Sequence, residues 1–263
     1  MSATLPGTGP ATTGHPTPKP EAEAINRDRT PEPTRRSTPT LAVVRALLRK
    51  ELLVELRTLE SLPGMSLFAV TTYVVFHFAL NRNSIDGDLA AGILWVTLLF
   101  AAMLGINRLF VADADQGGFD GFLLAPVERS AMLFAKVLAL LAYLVVLEVI
   151  AVPAFGLLLL GPSLGHALPW LLVVLALGDL GVAAIGTLVA ALAVRTRARD
   201  LLGPLLALPL LVPIVIGAAR ASSPLLALGH GGAPAARWLL MLGLYDLVFG
   251  LIAYALFDFL LED

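Results

Sequence analysis

Apolar residues fall along this chain in two rhythms. From Leu62 onward they form long runs that are apolar on every side: Leu62 to Leu80, Leu89 to Ile106, Val137 to Leu160, Leu168 to Val194, Leu201 to Ala219 and Trp238 to Leu261. A helix needs about 20 residues to cross the hydrocarbon core of a bilayer, so these runs predict six transmembrane helices. Barrel strands would instead alternate polar and apolar positions, and the expected fold is an all-α polytopic membrane protein. Upstream the rhythm changes. Leu41, Val44, Leu48, Leu52, Leu56 and Leu59 recur at helical spacing, while Arg45, Arg49, Lys50, Glu51 and Arg57 take the other faces. That pattern predicts an amphipathic helix over 41–59 lying in the membrane surface.

The first 40 residues follow neither rhythm. Pro6, Pro10, Pro16, Pro18, Pro20, Pro31, Pro33 and Pro39 stand among Thr, Ser and Gly, a composition that cannot bury enough apolar surface to offset the entropy of ordering. The expected organisation is a disordered tail over 1–40 and a transmembrane domain over 41–263. No apolar stretch of about 7 to 15 residues near the start suggests a secretory signal.

Composition sharpens this picture at three points. Hydrophobic residues are 57% of the 263 and charged residues 14%, about half the charged share of a soluble domain. The net charge of −2 supplies no basic patch of the kind nucleic acid requires. Cysteine is absent, which excludes disulfides, thiolate nucleophiles and cysteine-based zinc cages. Charge placement also carries orientation, because Lys and Arg near helix ends resist translocation. Arg45, Arg49, Lys50, Arg57, Arg108, Arg129, Lys136, Arg195, Arg197 and Arg199 fall on one side, against Arg82, Arg220 and Arg237 on the other. Both termini are therefore expected in the cytoplasm.

Three acids, Glu148, Asp179 and Asp246, lie inside the third, fourth and sixth expected spans, where an ionised carboxylate costs at least a few kcal/mol. Either they relay protons or ions, or they are protonated or hydrogen-bonded groups that fix helix packing. His77, His166 and His230 match no heme- or metal-ligand spacing. Asp113 and Asp115 resemble the start of a calcium loop but lack its later ligands. No Gly-x-Ser-x-Gly elbow, His-Glu-x-x-His helix or phosphate-binding P-loop occurs. The chain is thus expected to be non-catalytic, with no catalytic, metal-ligating or cofactor-holding residue, and any ATPase must be a separate chain.

Pro204, Pro209 and Pro213 in the fifth span remove backbone donors and demand a bend or break. Ser222 to Ala235 is too apolar for an ordinary loop and is expected to dip back into the outer leaflet. The longest connection runs from Asn107 to Lys136 on the cytoplasmic side and interleaves acids and glycines with Phe110, Phe119, Phe122, Leu123 and Leu124. Such a segment offers aromatic anchors to another protein or lies on the membrane surface.

Residues across the chain carry a family resemblance. Gly92-Ile93-Leu94-Trp95, Arg108-Leu109-Phe110, Asp113, Asp115, Gly117, Leu123-Leu124, Pro126 and Lys136 form one block. Arg197, Arg199, Asp200-Leu201-Leu202, Pro204, Leu208-Pro209 and Pro213 form a second, and Tyr245-Asp246, Phe257 and Leu260-Leu261-Glu262 close the chain. In order and spacing these resemble the heme exporter B family, the membrane subunit of the cytochrome c maturation ABC transporter, from about Leu41 to Asp263. Two departures are the proline-rich tail and Gln116, where the family often has an acid.

The resemblance implies an ABC-2-type exporter membrane domain whose 41–59 segment is a connecting helix. It implies a homodimer in the inner membrane, paired with ATP-binding subunits and with heme-handling membrane subunits that pass heme to a chaperone. Heme would be a substrate, and ATP would act only through the partner. Arg108, Asp113, Asp115, Phe119, Phe122, Leu123, Pro126 and Lys136 would belong to the loop that couples to the ATPase. An ABC-2 permease for another substrate, an ATP-independent carrier using the three acids, and a purely structural scaffold are the alternatives.

Overall fold

The computed structural model describes residues 40–59, 61–81, 84–108, 129–161, 164–194, 199–227 and 232–260. The tail and the segment 109–128 lie outside them, and with them the tail's expected disorder and most of the expected coupling loop.

The described residues form helices α1 (Thr40–Thr58), α2 (Leu62–Leu80), α3 (Gly87–Arg108), α4 (Arg129–Phe155), α5 (Leu164–Val194), α6 (Arg199–Ser222) and α7 (Ala236–Leu260). There is no strand among them. The six from α2 to α7 are each long and apolar enough to cross a membrane, so the protein is an all-α multi-pass membrane protein.

The helix boundaries follow local chemistry. Helix α1 stops at Leu59, whose φ of 48° breaks the helical repeat. Pro63 sits in the first turn of α2, where the donor it lacks has no helical partner to lose. Asn81 ends α2 in the left-handed conformation, which its short polar side chain tolerates. Helix α4 passes Pro153 and widens into a π-helical turn, Gly156–Leu160. The carbonyls at this end are taken by neighbours: His77 Nδ1 donates to Leu158 O at 2.6 Å and the Ile85 amide to Leu159 O at 2.8 Å.

Two expected features differ in extent. The third span begins as a helix at Arg129, eight residues before the expected Val137, because Arg129 and Lys136 interrupt the hydropathy of the run without interrupting its helical repeat. The fifth span is one helical run through Pro204, Pro209 and Pro213, and the Tyr245 hydroxyl donates to the Leu210 carbonyl at 2.8 Å, one residue from the Pro209 carbonyl whose helical donor Pro213 removes. The described part of the following connection turns back on the protein. Leu225 and Leu226 are buried, and Leu226 O accepts from the Gly87 amide at 3.2 Å.

The core lies on α3 and α5, whose most apolar windows are 72% buried, against 17% for α2 and α7 on the outside. Trp95 of α3 fills the centre and donates from Nε1 to Ser222 Oγ at 3.0 Å. It fits because α5 has Gly178 opposite it; a Cβ there would collide with the indole.

Candidate functional site

Polar groups gather in two places: where α1 meets the membrane domain, and between the spans. Helix α1 was expected to present its leucine stripe to the membrane. It turns Val44, Leu48, Glu51, Leu52 and Glu55 inward, whereas Leu41, Leu56 and Leu59 stay exposed. Two carboxylates thereby reach the membrane domain.

Glu55, 5% exposed, accepts the amides of Ser61 and Leu62 on Oε1 at 2.8 and 2.9 Å. These amides open α2, and Ser61 itself makes no side-chain cap. An anion is favoured here because the first amides of a helix lack helical partners and carry the positive end of its dipole. Four residues earlier, Glu51 Oε1 accepts from Lys136 Nζ at 3.0 Å and from Lys50 Nζ at 3.2 Å. Lys136 is 3% exposed on α4, so it lies within a helix rather than in the loop where the sequence pattern ends it. One face of α1 is thus fastened to the first span by Glu55 and to the third by Glu51.

Between the spans, the structure brings two of the three expected acids together. Glu148 of α4 and Asp179 of α5 face each other across one small cavity. Among the described residues, Glu148 Oε1 and Asp179 Oδ2 have no hydrogen-bond partner, and neither has the fully buried hydroxyl of Tyr73. Trp95, Leu98, Leu99, Leu144, Leu147 and Val215 surround the pair, around a cavity of about 10 Å³. Asp246 of α7 is not part of this pair. It is 7% exposed, neither carboxyl oxygen has a hydrogen-bond partner among the described residues, and it lies against Gly181, where a Cβ would collide with Oδ1.

The other candidates divide plainly. Asp113, Asp115, Phe119, Phe122, Leu123 and Pro126 lie outside the described residues, as does His230; Arg108 closes α3, with its side chain outside them. His77 is bonded to a backbone carbonyl, and His166 is exposed in the first turn of α5. Among the described residues no group of three or more His, Cys, Asp or Glu could hold a metal ion. Glu55 escaped the sequence reading altogether. The signal available was a glutamate six residues before the Ser61-Leu62-Pro63 helix start, on the face of α1 shared with Leu48 and Leu52.

This layout has known relatives. A profile of the CcmB protein family matches residues 42–259, nearly the whole membrane domain. The chain belongs to the CcmB family. Among its relatives, the heme exporter protein B of Rhodobacter capsulatus is 34% identical over 174 residues, 66% of this chain and 79% of that protein. The heme exporter protein B of Pseudomonas aeruginosa is 32% identical over 180 residues, 67% and 80% of the two chains. That of Bradyrhizobium diazoefficiens is 30% identical over 217 residues, 82% and 96%. The CcmB match begins inside α1 and ends inside α7, so it includes both polar places and leaves out the proline-rich tail.

Proposed function

We propose that this chain is the permease subunit of an ABC transporter for cytochrome c biogenesis. Two copies sit in the cytoplasmic membrane with both termini inside, paired with two ATP-binding subunits. ATP hydrolysis there drives heme export or the release of a heme-loaded chaperone, with other heme-handling membrane subunits beside it. The observation that carries the reading is the fastening of α1, in a chain of the CcmB family whose named relatives are heme exporters.

A membrane subunit without its own ATPase can respond to ATP only if the partner binds its two conformations differently. Helix α1 is suited to pass on such a bias, because a displacement of it pulls on α2 through Glu55 and on α4 through Glu51. The segment 109–128 joins α3 to α4, next to Lys136 in sequence. In this reading it packs Phe119, Phe122 and Leu123 into a groove on the ATPase, with Arg108, Asp113, Asp115 and Pro126 around them.

A second reading, an ATP-independent proton-coupled carrier, is favoured by Glu148 and Asp179 facing each other between two spans, since paired acids inside a membrane are where such a carrier would bind a proton. Purification of the tagged chain in mild detergent, together with its co-expressed neighbours, separates the two. An ATP-binding chain is expected to co-purify. Aromatic anchors commonly cost about 2 kcal/mol or more when truncated, whereas rim charges cost little. Phe122→Ala with Leu123→Ala should therefore release or uncouple the ATPase, and Glu128→Ala should leave it in place. If no ATP-binding chain is recovered, the carrier reading stands. If the double variant retains wild-type recovery and ATP turnover, the loop has no coupling role. Orientation is checked with single cysteines at Arg129 and Asp86: a membrane-impermeant thiol reagent should label only the second in intact cells.

A further inference from the structure

The two faces of α1 carry opposite charge. Both of its acids, Glu51 and Glu55, turn inward, where Lys136 and the amides that open α2 take them up. What remains outside is basic. Lys50 reaches back to Glu51, but Arg45, Arg49 and Arg57 are exposed, and among the described residues no hydrogen bond or ion pair takes them. Arg45 and Arg49 are one helical turn apart, and the exposed Leu53 and Leu56 continue their stripe toward Arg57. Guanidinium groups and leucines therefore share one face along about 18 Å of helix.

The fold sets the depth of this face. Helix α1 ends at Thr58 and the first span begins at Leu62, so its last turn lies where a span enters the hydrocarbon layer. Its middle is no farther out. Glu51 accepts from Lys136 Nζ at 3.0 Å, and the Tyr143 hydroxyl lies 3.5 Å from the Glu51 carbonyl oxygen; both partners belong to the span Ala131–Leu160. A helix held against two spans near their starts runs along the boundary of the layer, at the level of the headgroups.

We propose that the outward face of α1 binds the headgroups of acidic phospholipids, with Arg45, Arg49 and Arg57 on the phosphates and Leu53 and Leu56 among the first acyl carbons. A phosphate accepts paired N–H groups from a guanidinium and neutralises its charge. A neutral lipid surface would leave the cations without a net counter-charge, and a free anion in water would leave the leucines wet. An acidic lipid meets both needs at the depth that the fold fixes. An acidic soluble protein matches the arginines, but it would have to enter the headgroup layer to cover Leu56, which is 65% exposed. Because the inner face of α1 holds α2 and α4, the charge of the bilayer acts through it on the starts of two spans.

The inference rests on neither reading of the protein's function. The absence of cysteine lets a single bimane label report from Ala46→Cys, which is exposed beside Arg45 and Arg49. The labelled full chain is reconstituted into nanodiscs of phosphatidylcholine with rising shares of phosphatidylglycerol. Bimane emission should shift to the blue until it saturates, and added salt should reverse the shift. Arg45→Gln, Arg49→Gln and Arg57→Gln should each lower the affinity for phosphatidylglycerol about fivefold, the weight of one basic residue at an acidic membrane surface. Arg49→Lys, which keeps the charge, should lose less. All four substitutions are at exposed positions, so melting temperatures should match the wild type. The full shift in phosphatidylcholine alone, an equal shift with inorganic phosphate, or Gln variants that respond like the wild type would each overturn the assignment. So would a benzophenone maleimide at Ala46→Cys that, irradiated in native membranes, joins protein and no lipid.

Discussion

The carboxylates of α1 and those of the spans are equally hidden from water, yet they are handled in opposite ways. Glu51 and Glu55 sit where amides and ammonium groups are at hand: Glu51 holds Lys136, and Glu55 takes two free amides of a helix start. Among the described residues no ion pair joins Glu148, Asp179 or Asp246 to a base. Two of them face each other across one small cavity, and the third stands apart with no hydrogen-bond partner among the described residues. The difference teaches that the first group can stay ionised and bear force between helices. The second has no such partner among the described residues, and an ionised carboxylate there costs at least a few kcal/mol. Fixed charge sits at the membrane's edge and neutralisable charge within it, as the cost of burying an ion there requires.

The largest effect that would break this contrast is at Glu51. Removing one partner of a largely buried ion pair costs up to about 3 kcal/mol. Glu51→Ala should therefore lower the thermal stability of the detergent-solubilised protein. Adding Lys136→Met to it should recover part of the loss, to the extent that Glu51 was the group holding that ammonium. A double variant no more stable than Glu51→Ala would show that the ammonium is satisfied by other groups and that the fastening is not ionic.

Glu55 should matter less. Glu55→Gln keeps an acceptor at the start of α2 and removes only the charge, for an expected loss of about 0.5 to 1 kcal/mol, whereas Glu55→Ala also frees the two amides and should cost about 1 to 2 kcal/mol. Thermal melts of the two variants order these effects. Equal losses would mean that charge, not acceptance, holds α1 to α2.

The smallest expected change is at the Glu148–Asp179 pair. Glu148→Gln keeps the shape of the side chain and removes its charge, so folding stability should shift by less than about 1 kcal/mol. Melting temperature is compared with cytochrome c maturation in cells. Normal stability with lost maturation would assign the pair a titrating role rather than a packing one.

Along the chain, some of this was legible without coordinates because it is local. About 20 apolar residues in a row must cross a membrane wherever they occur, so all six spans were readable to within a few residues; the third, begun eight residues early by Arg129, shows the limit of hydropathy where charges sit inside a helix. The inward direction of Glu51 and Glu55, however, depends on which face of α1 meets α4. In an amphipathic segment that also carries exposed leucines, the helical period does not choose between faces. The partner of Glu148 is an acid 31 residues away on another helix, and spacing along one chain cannot report a contact between two helices. Hydropathy also could not tell α3 and α5 from α2 and α7. Lipid and protein interior are equally apolar, so only packing decided that Gly178 faces Trp95 within the core while Gly243 and Gly250 face an open groove.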